Sequence, residues 1–211
     1  LGCRNIDSGK KAILELEKIG LENCTLLEID ISNERSIDEA AKEFGKHNEV
    51  LDILINNAGI LGPRPSKENP LTLKDVREVF ETNFFGTIAV TEAFMPYLKK
   101  SSLPVIENIT SDLSSLTMHQ DPEWLLYKAK SISYGPSKTA LNAYTVALAY
   151  EYKDLGFKIN CVTPRWTSTD FNGNSGGKSA AENCINLAKY AMLDQNGPTG
   201  KFFGEHGELP W

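Results

Sequence analysis

Tyr134 and Lys138 stand four residues apart in Ser133-Tyr-Gly-Pro-Ser-Lys-Thr-Ala140. On a helix that spacing is about one turn, so both side chains share a face. A free phenol has a pKa near ~10 and trades protons poorly at neutral pH. An ammonium a few ångströms away favours the phenolate, each unit of lowering being worth about 1.36 kcal/mol. A phenol tuned in this way gives a proton to a nascent alkoxide or takes one from an alcohol. Alone, a Tyr-x-x-x-Lys pair reads equally as an amphipathic pair on a solvated helix face. The small residues around this one (Ser133, Gly135, Ser137, Ala140) leave room for a ligand to approach.

Two further groups follow short apolar runs. Val105–Ile109 leads into Thr110-Ser111, where a hydroxyl is placed to polarise a carbonyl or, more plainly, to cap a turn. Leu51–Ile55 leads into Asn56-Asn57-Ala58-Gly59, a small-residue turn that lets a flat ligand come close to the backbone.

These groups need a frame that brings strand ends together. Short runs rich in Ile, Leu and Val at Thr25–Ile29, Leu51–Ile55, Val105–Ile109 and Lys158–Val162 read as strands, with Gly200–Phe203 closing the set. Between them lie helical patterns at about Ser8–Ile19, from Ser32 through Phe44, at Thr72–Lys99, Pro136–Tyr152 and Ala181–Met192. Alternating strands and helices imply crossover units and a mainly parallel sheet covered on both faces. Ligands of such sheets sit beyond the carboxyl ends of the strands, where these residues fall.

Composition narrows the function. Among 211 residues, 22 basic side chains face 28 acidic ones, for a net charge of −6, which disfavours a nucleic-acid binder. No apolar run approaches the ~18 residues that span a bilayer. Lys10, Lys11, Glu15, Glu17 and Lys18 occupy the place where an export signal would need an apolar stretch. Cys3, Cys24, Cys161 and Cys184 are spaced too irregularly for a disulfide framework or a metal site. The expectation is a cytoplasmic protein with one domain over residues 1–211, no metal, and neither nucleic-acid nor membrane partners.

Taken in order, Asn56-Asn-Ala-Gly59, Asn83-Phe-Phe-Gly86, Ile109-Thr-Ser111, Tyr134-x-x-x-Lys138 and Pro164-x-x-x-x-Thr169-Asp170 resemble a short-chain dehydrogenase/reductase across essentially the whole chain. The resemblance implies a Rossmann-type, doubly wound α/β fold and carbonyl/alcohol interconversion by hydride transfer on a small substrate. Under it, Tyr134 is the general acid/base and Lys138 lowers its pKa and holds the nicotinamide ribose. Ser111 orients the carbonyl, and Asn83 interrupts its helix to anchor a proton relay reaching Lys138. Asp30 contacts adenine, Asn57, Ala58 and Gly59 line the adenosine side, and Thr167 and Thr169 contact the nicotinamide carboxamide. Arg4, where an acid would bond the ribose of NAD, favours NADP(H) over NAD(H) through the extra phosphate. Homo-oligomers through the long helices fit the same pattern. A non-catalytic cofactor-sensing or scaffold protein of this fold is the competing reading.

Departures from the pattern carry their own expectations. No Thr-Gly-x-x-x-Gly-x-Gly loop occurs, so the first strand, first helix and Gly-rich loop of the family are absent from these residues. The domain is then incomplete at its N-terminus, with bared strand edges, the Arg4–Asp30 region parted from the Asn57 region, and weak cofactor binding. Twenty-two residues separate Ser111 from Tyr134, a long insert like that of some carbonyl reductases, with His119 on a surface loop. Arg165 follows Pro164 where glycine is usual, which implies a shifted loop. The polar run Asn172–Lys178 predicts a pocket wall without a large apolar lid.

Overall fold

The computed structural model describes residues 1–211. In chain order the elements are β1 (Gly2–Cys3), α1 (Ile6–Lys18), β2 (Leu27–Glu28), α2 (Glu34–His47), β3 (Ile53–Asn56) and α3 (Leu73–Phe80). After a π-helical segment at Glu81–Gly86 come α4 (Thr87–Leu98), β4 (Val105–Ile109), α5 (Tyr134–Glu151) and β5 (Lys158–Val162). β6 (Thr167–Ser168), β7 (Lys178–Ser179), α6 (Ala180–Ala191), β8 (Phe202–Gly204) and β9 (Gly207–Glu208) complete the chain.

Local chemistry sets many of these boundaries. Asn5 and Asn33 cap α1 and α2, accepting from Ser8 N at 2.8 Å and Ser36 N at 3.2 Å. Thr72 with Asp75, and Ser179 with Glu182, form reciprocal capping boxes at α3 and α6. The helix expected over 72–99 is three pieces, because the backbone widens to π register around Asn83. The strand expected over Thr25–Ile29 pairs only at Leu27–Glu28.

β4 is buried along its whole length, as a central parallel strand must be. The main sheet runs β3-β4-β5-β8-β9, parallel except for the last pair. β1 and β2 form a separate parallel pair. The expected bare edge is present, since β3 ends the sheet with no strand on its outer side, and on one face of β3 Ile53 and Ile55 remain 38% and 45% exposed. The two sheets are joined through packing instead of strand pairing. Ile29 and the α2 residues Ile37, Ala40 and Ala41 form one apolar cluster with Val90 and Phe94 of α4. On the same side, Met95 and Leu98 of α4 meet Ile106, Ile159 and Leu148. The opposite face is covered by α6, where Tyr190 stacks on Phe203 at 4.1 Å.

A buried polar row fixes the register that places the strand ends. Asn56 Nδ2 donates to Thr91 Oγ1 at 3.1 Å and to Asn108 Oδ1 at 2.8 Å, and Asn108 Nδ2 donates to Thr145 Oγ1 at 2.8 Å. Each bond contributes about 1 kcal/mol net, but a one-residue slip would strand all of these groups without partners. No helix is long and apolar enough to cross a membrane.

Candidate active site

Ser111 follows β4 and caps a short 3₁₀ turn, its Oγ accepting from Leu113 N at 3.2 Å. That turn is tied to α5. Thr139 Oγ1 donates to Ser114 O at 3.0 Å, and Asn142 Nδ2 donates to Ser114 Oγ at 2.8 Å. The same helix begins at Tyr134, so these two bonds hold Ser111 and Tyr134 in one frame.

The phenol does not titrate in the direction its neighbour on the helix predicts. Burial pushes Tyr134 up to about 12; the Ser111 hydroxyl opposes this, and the Asp112 carboxylate adds to it. The expected lowering by Lys138 is absent, because Lys138 Nζ turns to Ile109 O at 2.8 Å, at the end of β4. Lys138 is itself buried, and desolvation lowers its pKa to about 8.

Asn83 is fully buried behind this group. Its Oδ1 accepts from Ile60 N at 2.8 Å, and its Nδ2 donates to Ile60 O at 2.9 Å and Ser137 Oγ at 3.0 Å. Asn83 therefore clamps the segment after Gly59 to the second turn of α5. The helix interruption expected at Asn83 is there, while its side chain is spent on this clamp.

Gly59 marks where a ligand fits. A Cβ at this position would come within 3.1 Å of Asn83 Oδ1 and 3.5 Å of Lys138 Nζ. Its absence keeps a cradle open beside a buried ammonium that spends one of its three N–H groups on Ile109. A ribose bearing two hydroxyls suits those remaining donors and that space, so the residues present fit a nicotinamide ribose.

Around this lies a cleft of about 680 Å³. Asn57, Gly59, Ser111, Tyr134, Lys138, Thr167 and Thr169 all line it. Ala58 is exposed outside the lining. Arg4 and Asp30 lie outside this lining, just past the carboxyl ends of β1 and β2. There the Asp30 carboxyl is held below its usual range by hydrogen bonds from Ser32 and, to a smaller degree, by Arg4.

The two threonines are engaged within their own loop. Thr167 Oγ1 donates to Pro164 O at 2.8 Å and accepts from Asn183 Nδ2 at 2.8 Å. Thr169 caps the turn Asp170–Asn172. Arg165 adopts φ 63, the left-handed region that favours glycine, at a cost of roughly 1–2 kcal/mol. The backbone shape of a glycine is thus kept by an arginine, whose Nε lies 3.4 Å from Asp112 Oδ2.

The wall differs from the sequence expectation. Phe171 and Trp166 line the cleft with Leu61, Leu126 and Leu187, and the Phe171 ring lies 5.8 Å from that of Tyr134. The side chains next to the polar run, more than the run itself, decide the character of the wall. Asp112 and Arg165 pair across two loops, and the only sequence signals for them are the place of Asp112 beside Ser111 and the missing glycine at 165. His119 is half-buried instead of standing on an exposed loop, with Nε2 3.0 Å from Leu113 O and its ring edge-on to Trp124 at 5.1 Å.

Comparison with known proteins places this arrangement. The profile described as "short chain dehydrogenase" matches residues 2–179. The chain is 31% identical over 210 residues to the short-chain dehydrogenase anuI of Penicillium roqueforti, with 97% of this chain and 81% of that protein covered. It is 28% identical over 249 aligned positions to (+)-neomenthol dehydrogenase of Capsicum annuum, covering 86% and 78%. Among solved structures, NADPH-bound carbonyl reductase from chicken fatty liver superposes with a TM-score of 0.82 at 29% identity, over 100% of this chain and 86% of that one.

Proposed function

The chain belongs to the short-chain dehydrogenase family, an NAD(P)-dependent oxidoreductase, and from that premise we propose that it reduces a carbonyl with NADP(H), Tyr134 giving the proton. The observation that carries the reading is the gathering of Ser111, Tyr134 and Lys138 in one cleft at the end of β4, with Lys138 buried one turn along α5. When bound, the cofactor supplies the hydride, or takes it up in the reverse direction. Asn57, Gly59 and Lys138 would hold it in the cleft, with Thr167 and Thr169 beside it.

The chain's own groups divide the remaining work. Ser111 and Tyr134 donate hydrogen bonds to the carbonyl oxygen and stabilise charge as it develops there. With its pKa pushed up to about 12, the phenol stays protonated across the neutral range, which suits an acid in the reducing direction. An alkoxide is a stronger base than a phenolate, so proton transfer to it runs downhill even from a phenol of this acidity. Lys138, cationic below about 8, would hold the nicotinamide ribose through the N–H groups it does not spend on Ile109.

Arg4 supports the NADP(H) preference. It follows β1 at an exposed position where a phosphate could reach it, coupled only weakly to Asp30. The NADPH named for the chicken carbonyl reductase agrees with this choice.

Replacing Tyr134 with Phe is expected to lower kcat for carbonyl reduction by about 10³-fold, while leaving the Kd for NADPH within about twofold. Turnover that survives the substitution would overturn the proton-donor role. Absence of turnover from the unmodified protein across aldehydes, ketones and quinones would favour the scaffold reading instead.

A further inference from the structure

The cleft carries an electrical bias opposite to that of the chain. Its charged lining is Arg64, Lys138 and Arg165 against Asp112, three cations to one carboxylate, in a protein of net charge −6. Lys138 is committed to Ile109 and to the role above. Arg64 reaches back through Nη2 to Asn172 O at 3.4 Å.

Arg165 is held differently. Its backbone keeps a conformation that glycine would adopt freely, and at a cleft wall such an outlier points to function. Asp112, with a side chain only 5% exposed, steadies the guanidinium from the Nε side at 3.4 Å. The Nη edge makes no hydrogen bond to the protein, the Glu205 carboxylate that pairs with Lys178 feels the guanidinium only weakly, and the side chain is 37% exposed. A planar fork fixed on one edge and open on the other is suited to bidentate capture of a carboxylate. Trp166 and Phe171 line the same cleft, and the Phe171 ring lies 5.8 Å from the Tyr134 ring. Aromatic walls accept a flat ring by stacking or edge contact.

We infer that the cleft takes an aromatic carbonyl compound carrying a carboxylate or a similar anionic group, and that Arg165 is the residue that reads the anion. The carbonyl half of this statement rests on the reductase reading above; the anion half does not.

The test titrates 3- and 4-formylbenzoate, each against its formylbenzamide as a neutral near-isostere, by calorimetry with and without saturating NADPH. At least one carboxylate should bind about tenfold or more tightly than its amide, and the preference should shrink as salt is raised. In Arg165→Gly, which suits the left-handed backbone, and in Arg165→Gln, which keeps the stem, the ratio should fall below about twofold. In Arg64→Gln it should persist. Equal binding of carboxylate and amide by the unmodified protein overturns the inference. So does a preference that survives both Arg165 variants, or one that is lost only in Arg64→Gln. If Arg165 serves the cofactor's phosphates instead, its variants weaken NADPH binding and no carboxylate preference exists to lose. NADPH consumption on the same compounds separates the two halves. Turnover at equal kcat/KM for carboxylate and amide sinks the anion reading and leaves the reductase. Selective carboxylate binding without turnover does the reverse.

Discussion

The carboxyl ends of the two sheets use opposite physics. At the end of β4, Lys138 and Asn83 are buried and Tyr134 is held beside Ser111 and Phe171. Burial there is strong enough to move the phenol up to about 12 and the ammonium down to about 8. At the end of β1–β2, Arg4 is exposed and Asp30 is half-buried, answering to Ser32 more than to burial and least to Arg4. The first region suits chemistry, because groups out of water keep fixed geometry and shifted acidities. The second suits recognition of a charged group at modest strength, because solvent screens it.

Lys138→Met tests the buried side hardest. It should reduce kcat/KM for carbonyl reduction by about 10²–10³-fold, since the cleft loses the buried cation that would hold the nicotinamide ribose beside Tyr134. The pH dependence follows from the shift. Lys138 loses its proton near about 8 in the folded protein, so the unmodified rate should fall as pH rises through that value. The residual rate of the Met variant should lack that limb. A steady-state pH profile from 6.5 to 9.5, roughly one and a half units either side of the shifted lysine, decides it. Identical profiles would show that burial of the ammonium has no part in the reaction.

Glu107 sharpens the same comparison, being buried in the middle of β4 with neither carboxylate oxygen partnered. Burial alone raises its pKa from 4.5 to about 8. Between those values the folded state holds a proton that the unfolded state has released. Stability should therefore fall as pH rises from about 4.5 to about 8, with a total change of at most about 5 kcal/mol. Glu107→Gln should flatten this slope, as read from urea midpoints at pH 5 and pH 8, values near the two ends of the window. A slope unchanged in the variant would show that water or a partner reaches the carboxyl.

How much of this could be read from sequence depends on what each feature rests on. The one-turn spacing of Tyr134 and Lys138 and the position of Ser111 after β4 are local, and the structure has them where periodicity placed them. The π segment left no trace in the apolar pattern, because Val79, Phe80, Phe84 and Ile88 continue the stripe while only the hydrogen-bond register changes. The direction of the Tyr134 shift was not legible either, since spacing names a neighbour and says nothing about depth. Arg165 and Asp112 lie on separate loops that only the fold brings together. The wall of Trp166 and Phe171 escaped notice because two single aromatics, flanking a polar run, carry no periodicity.

The smallest expected effect belongs to the exposed side. Arg4→Ala should weaken NADPH about tenfold and leave NADH nearly unchanged, because only NADPH has the phosphate that a guanidinium at this position would pair with. Raising salt should shrink the difference, as befits a screened surface charge, while the same salt leaves the Lys138→Met defect in place. Parallel titrations of both dinucleotides into the unmodified and Arg4→Ala proteins give the ratio directly. If the substitution weakens both equally, Arg4 supports the β1–β2 end structurally and the NADP(H) preference arises elsewhere. If it weakens neither, the two ends do not share one ligand, and the contrast between buried chemistry and exposed recognition fails at its exposed half.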